Sequence, residues 1–495
     1  MFDFQSLFDL GAAEPAVRPI DLGLSTIEAA GALQSRDHFA FLDTSSAPDT
    51  PGCFSVLAYD PYLIFRSKGT RIQVRHEGRW HETQGDPLRL LDDLLRASTA
   101  PDLGNPLVPI CGGAIGYFAY DLFSLIEKYN GLTAIDDLCL PDCYLSFYDT
   151  VLAFDHVAQK WYLAGTGIRR GSDSVQSLLD RRLESLSGIM RNPVHRMNPG
   201  RKAGPPNTKP LESNFTKKEY LQAVRKALRH IYDGDIYQVN LSQRFQTTAD
   251  CSAFELFAHL REINPSQYGG LLLYDGHAVV SSSPELFLLR SGPDIETRPI
   301  KGTRPRGRNH EEDERFYREL RNSIKDRAEL SMIVDLERND LGRTCEYGSV
   351  KVREHAYIEK LPTVFHTVSI VDGVLNNGIS TVDLLRATFP GGSITGCPKI
   401  RSIEIIDDLE PTCRNVYTGS IGFIGFNNDL TLNIAIRTII TKARDVYFQV
   451  GGGIVADSDP EAEYNETLQK AAAMIRAVES VRQNNGSMNK KTSSG

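Results

Sequence analysis

Cysteine is scarce. Eight residues in a chain of 495 are too few for a disulfide-stapled scaffold. Cys139 and Cys143 form one C-x3-C pair without a second cluster, which argues against a structural zinc and for free thiols in a reducing cytoplasm. No run approaches 18 apolar residues. The opening MFDFQSLFDLG has neither a basic n-region nor an unbroken apolar stretch, so no membrane segment or secretion is expected. Basic residues form no stripe. The 63 acidic and 55 basic residues leave a formal charge of −8, which favours solubility and points to no nucleic-acid partner. The 41% apolar and 24% charged fractions are ordinary for a globular chain with at least one large core.

Strand-like stretches occupy 39–47, 53–66, 70–75, 113–120, 143–155 and 160–165, with helical patterns at 87–97 and 173–188. There is no βα alternation and no dinucleotide glycine pattern, so an α+β arrangement is expected. The expected organisation is an amino-terminal region (1–188), a Pro/Gly-rich connection (189–213), a carboxy-terminal region (214–482) and a polar tail (483–495). Thr216 and Glu219 form a capping box before a helix that Asp233-Gly234 ends, and a strand follows at 236–245.

Two acidic helices stand out. The segment 311–336 reads as one long helix with Asp326 and Glu329 on one face, and 460–482 repeats the arrangement with Glu463, Glu466 and, one turn on, Lys470. Four carboxylates without histidine or cysteine suit a hard cation such as magnesium; they equally suit two solvated helix faces. Gly451-Gly452-Gly453 after the strand YFQV offers backbone N–H groups to an anion, or a bulge or tight turn.

GDIYQVNLSQRF (234–245), SSSPELFL (281–288), RPIKGTRPRG (298–307), DRAELSMIVDLERNDLGR (326–343), FPGGSITGCPKIRSIEIIDDLEP (389–411), YTGSIGF (417–423), NIAIRT (433–438) and GGGIVADSDPEAEYNET (451–467) resemble the chorismate-utilising enzymes. The amino-terminal half resembles more loosely the companion region of the anthranilate and aminodeoxychorismate synthase first components. The resemblance implies the anthranilate synthase component I-like α+β fold, with facing antiparallel sheets and helices outside. It implies magnesium held directly by Glu329 and Glu466, with Asp326 and Glu463 in support. It further implies that Arg437, Tyr417 and the Gly452–Gly453 backbone receive the substrate's other carboxylate, with Lys470 as a nearby charge.

Relatives that add water carry a lysine at the position of Gln238, and a neutral amide cannot take the proton. The resemblance therefore implies ammonia as nucleophile. Lysine in PIKGT, where anthranilate-forming relatives read PIAGT, implies C4 amination through a covalent Lys301 intermediate, on the route to 4-aminobenzoate and folate. Glu285 is the expected general acid, His366 a contact to the departing oxygen, and Thr303 and Ser393 pocket polarity. Anthranilate formation and an inactive scaffold are the alternatives. No Cys-His-Glu amidotransferase module is apparent, which implies a separate glutamine amidotransferase subunit. FLDT (41–44) and NPSQY (264–268) correspond to the walls of a tryptophan pocket in relatives, which implies a bound tryptophan as a further ligand.

Overall fold

In the computed structural model of the chain the described residues are 15–45, 53–98, 107–127, 133–166, 174–191 and 209–492, with side chains described to Arg482 at the carboxy-terminal end. Most of the expected connection, 192–208, lies outside them.

Local signals start the helices. Asp86 caps Pro87–Ala97 through the Leu88 and Arg89 amides, with proline in the first turn where it forfeits no hydrogen bond. Capping boxes at Ser25/Glu28, Thr216/Glu219 and Ser252/Glu255 open Thr26–Leu33, Lys217–Tyr232 and Ala253–Ile263. Each such cap contributes about 1 kcal/mol.

The described strands form two twelve-stranded sheets, antiparallel in every pairing across the strands that follow. One runs from Ala16–Ile20 through Ala40–Asp43, Tyr268–Leu273, Thr438–Lys442 and Asp445–Ile454 to Gln238–Thr248 and Glu212–Ser213. The other runs from Ile300–Pro305 through Val364–Val374, Leu286–Ser291, Ser420–Gly425 and Gly113–Phe118 to Arg79–Gln84. Both halves of the chain share each sheet: Ala40–Asp43 pairs with Tyr268–Leu273, and Gly113–Phe118 with Ser420–Gly425. A core containing Val56, Ile115, Tyr144, Val279 and Ile421 draws on strands of both sheets, and helices cover apolar clusters elsewhere on them. Each fully buried side chain such as Leu260 or Leu271 contributes about 1.5–3 kcal/mol. The expected mixed α+β architecture is the observed one.

Several segments depart from expectation. The helix read over 311–336 is two, His310–Arg321 and Ile324–Gly342. Asn322 ends the first, and the Ser323 hydroxyl accepts from the Asp326 amide to cap the second, a competing side-chain bond that helical periodicity does not register. The stretch 143–155 is also two strands, Cys143–Tyr148 and Thr150–Asp155, which join different sheets. The stretch 53–66 divides likewise, into Phe54–Ala58 and Leu63–Lys68. Ala16–Ile20, Thr26–Leu33 and Arg79–Gln84 were not foreseen. The last helix is Pro460–Thr492 and runs through most of the stretch read as a tail.

Candidate active site

The site gathers where the two sheets and the two acidic helices meet. Ile300–Pro305 is irregular there. Its pairing with Val364–Val374 runs Ile300↔Val368, then Thr303↔His366, so one extra residue is accommodated at Lys301-Gly302. Such a bulge re-aims a side chain. Gly302 has φ +79°, and a Cβ there would lie 2.8 Å from Asp326 Cγ, so only glycine lets this strand approach the helix Ile324–Gly342 so closely.

Lys301 Nζ donates to the Ser393 carbonyl at 3.2 Å. Burial lowers its pKa, opposed by Glu329, Glu285 and Glu466, while Lys470 adds to the lowering. Glu285 is buried in the turn between the strands Ala278–Ser283 and Leu286–Ser291. Burial raises its pKa, against a hydrogen bond from Ser393 and the charge of Lys301. The Ile300 amide lies at 3.5 Å from its Oε1. An amine biased toward neutrality thus faces a carboxyl biased toward its acid form. Ser393 touches both.

His366 is buried and pushed down to about 3 by burial and by Arg437. Its Nδ1 shares a hydrogen bond of 2.9 Å with Thr303 Oγ1, and its Nε2 is buried without a partner. Gln238 is fully buried with both amide atoms unpartnered. Buried polar atoms are rarely left so, and these two side chains suit a polar ligand. Tyr417, also buried, hydrogen-bonds Asn240, and burial raises its pKa.

The three glycines do not follow a strand or form a turn; they lie inside Asp445–Ile454, in unbroken register with Gln238–Thr248. Gly452 faces the carboxy-terminal helix, since a Cβ there would sit 3.2 Å from Glu463 Oε2, 3.5 Å from Glu466 Oε1 and 3.9 Å from Lys470 Nζ. Gly453 faces the other way, where a Cβ would be 2.7 Å from Gln238 Nε2 and 3.6 Å from Lys301 Nζ. Side-chain-free backbone therefore separates the acidic helix from the lysine.

Glu463 is buried and accepts from Ser458 Oγ at 2.6 Å, whereas Glu466 pairs with Lys470 at 2.7 Å. Lys470 also donates to the Gly451 carbonyl at 2.9 Å. Across from them, Glu329 lies 3.8 Å from Lys325, and Asp326 lies 3.3 Å from Arg304. Burial raises the pKa of Glu329, with Asp326 and Glu466 adding to it; burial and Glu466 likewise raise that of Glu463. Glu466, whose side chain is about half exposed, is lowered because Lys470, Lys325 and Lys301 outweigh its partial desolvation. Mutual repulsion between carboxylates on two helices, with oxygen donors alone, fits a hard divalent cation.

These four carboxylates are not drawn into a tight group. Among the described residues Asp37, His38 and Asp275 are, with donor atoms within 4.8 Å of one another, and such a set could hold a divalent metal. Arg75 binds Asp37 there, and Tyr144 contacts His38 at 2.9 Å.

Asn240 was missed by sequence reasoning, though polar residues at alternate positions 238, 240 and 242 of an apolar strand were a signal. The FLDT and NPSQY stretches do meet: Thr44 Oγ1 donates to the Gln267 carbonyl at 3.0 Å, and Asp43 stands opposite Gly269, one residue beyond the second stretch. Arg261 and Ser55 already bind Asp43, at 2.6 and 3.0 Å. No helix of the described residues is long and apolar enough to cross a membrane.

The chorismate binding enzyme family matches residues 46–476. Aminodeoxychorismate synthase component 1 of Bacillus subtilis is 39% identical over 446 residues, which cover 90% of this chain and 93% of the relative. Anthranilate synthase component 1 of Acetivibrio thermocellus is 37% identical over 438 residues, covering 86% and 87%. The crystal structure of anthranilate synthase component I from Streptococcus pneumoniae matches with a TM-score of 0.73 at 31% identity, over 86% of this chain and 92% of that one. By family match, sequence identity and shared architecture, this chain belongs to the chorismate binding enzymes.

Proposed function

We propose that the chain aminates chorismate at C4, giving 4-amino-4-deoxychorismate for 4-aminobenzoate and folate synthesis. The observation that supports this most is Lys301, an amine on a strand bulge whose burial favours the neutral form, beside an acid-biased Glu285. A neutral amine is a nucleophile; an ammonium is not.

Lys301 Nζ forms a bond to C2, both ring double bonds shift one position, from C1=C2 and C5=C6 to C1=C6 and C4=C5, and the C4–O bond breaks. Glu285 gives its proton to the departing oxygen, which leaves as water. Ammonia then bonds to C4, both double bonds shift back to C1=C2 and C5=C6, and the C2–Nζ bond breaks to return neutral lysine. The new ammonium gives one proton to Glu285, which restores the acid. Neutral His366, held through Thr303, presents Nε2 to the departing oxygen. Arg437, Tyr417 and the Gly452–Gly453 backbone hold one carboxylate. Magnesium held by Glu329 and Glu466, with Asp326 and Glu463 behind them, would supply charge neutralisation for the other.

The same acid and amine set the expected pH response. With rates referred to free ammonia, turnover rises as Lys301 deprotonates below its usual pKa and falls as Glu285 ionises above its own. Glu285→Gln is expected to lose the alkaline fall and about 10²–10⁴-fold in rate. A wild-type profile flat across both limbs counts against the pairing.

A separate glutamine amidotransferase subunit would deliver the ammonia in a cytoplasmic complex. The purified chain with magnesium and chorismate is expected to make product from ammonium and almost none from glutamine until that subunit is added. Product mass and susceptibility to aminodeoxychorismate lyase separate C4 amination from anthranilate. Anthranilate as main product overturns the proposal.

A further inference from the structure

Arg437 sits in the link between the strands Leu430–Asn433 and Thr438–Lys442, with φ +49° and its carbonyl taking the Ser282 amide at 3.1 Å. Burial lowers its pKa, and no carboxylate pairs with it among the described residues. A desolvated guanidinium without a counter-ion carries undiminished charge for an incoming anion. It must still be aimed.

Its Nη1 donates to Asn264 Oδ1 at 2.9 Å. Asn264 closes the helix Ala253–Ile263, its amide donating to the Leu260 carbonyl at 2.8 Å. Its carboxamide has little freedom to turn. Nδ2 donates to Ser282 Oγ at 2.6 Å and to the Ser282 carbonyl at 3.3 Å, and Ser282 Oγ donates back to the Asn264 carbonyl. Both Nδ2 protons are thus directed at Ser282, which leaves Oδ1 toward the arginine. Asn264 and Ser282 are both buried.

We infer that Asn264 is a positioning residue for substrate binding: a neutral acceptor that fixes the Arg437 fork without neutralising it. The inference rests on the reading above, in which Arg437 receives a carboxylate of chorismate. A carboxylate at position 264 would fix the fork equally well but would already occupy its charge. Charge at this position, and not shape alone, therefore governs affinity.

The test is steady-state kinetics on the full chain with ammonium and magnesium, for Asn264→Ala, Asn264→Asp, Arg437→Ala and the Asn264→Ala/Arg437→Ala pair. Asn264→Ala is expected to raise KM for chorismate about tenfold, the effect of losing one hydrogen bond to a charged group, with kcat within about threefold. Asn264→Asp, which keeps the shape, is expected to raise KM at least as much. The paired variant should match Arg437→Ala, since no fork remains to be aimed. If Arg437→Ala raises KM while both Asn264 variants leave it unchanged, the inference is overturned. It is also overturned if Asn264→Ala lowers Tm and kcat with KM intact, the pattern of a merely structural residue. An unchanged KM in Arg437→Ala overturns the substrate reading and the inference with it.

Discussion

Lys301→Ala is expected to lose C4 amination by on the order of 10³–10⁶-fold, the range seen when a nucleophile that forms the covalent intermediate is removed. The lysine stands on a bulge and donates to the Ser393 carbonyl, so the variant deletes the amine while leaving the strand pairing beside it. Wild type given magnesium and chorismate without ammonia is expected to accumulate an adduct of chorismate minus water. Intact-protein mass spectrometry after rapid quench reads it, and peptide mapping places it on Lys301. The variant lacks the adduct. Residual turnover remains, because Glu285 and the carboxylate-binding groups still orient the substrate. Full C4 amination by the variant, with no adduct on wild type, would sink the covalent route and leave Lys301 as a charge contact.

Glu329→Gln and Glu466→Gln are each expected to remove nearly all turnover at ordinary magnesium concentrations. The amide keeps the shape and removes a hard anionic donor. Beyond burial, the Glu466 charge raises both Glu329 and Glu463 toward the acid form, so either change weakens repulsion across the two helices. Metal-free Glu329→Gln protein should therefore be no less stable, whereas Glu466→Gln gives up the 2.7 Å pairing with Lys470 that helps hold its carboxyl below the usual range and should be slightly less stable. Magnesium affinity, read by calorimetry independently of turnover, should fall by more than the ~10–100-fold typical of groups behind the ligands. Unchanged affinity in both variants excludes them as direct ligands.

Much of this was legible in the chain because its signals are local. Capping boxes mark helix starts, and alternation marks most strands. What alternation does not encode is which sheet a strand joins. Cys143–Tyr148 and Thr150–Asp155 are separated by Asp149 alone, yet their partners lie in different sheets. The break at Asn322-Ser323 was hidden because charged helical residues continue on both sides. Lys301, Glu285 and Ser393 were each singled out, but their meeting is tertiary: a turn, a nearby strand bulge and a segment 92 residues further on close on one amine. Asn264 had been read only as part of a pocket wall, and its hold on Arg437 required the link near φ +49° to turn that side chain toward it.

The sharing of each sheet between the two halves of the chain sets a timetable for synthesis. Gly113–Phe118, buried along its whole length, pairs on one edge with Cys143–Tyr148, which follows soon after. Its other edge pairs with Ser420–Gly425. Roughly 300 residues must be added before that partner exists, which at ribosomal rates takes about 15–60 s. Throughout that interval the nascent chain holds an apolar strand with one row of amides and carbonyls unmatched, a template for pairing with another nascent copy. Ala40–Asp43 waits in the same way for Tyr268–Leu273. An amino-terminal fragment ending before residue 268 therefore lacks partners for two of its central strands. Its yield on expression should depend on chaperones that cover strand edges, whereas the finished chain has matched those edges itself.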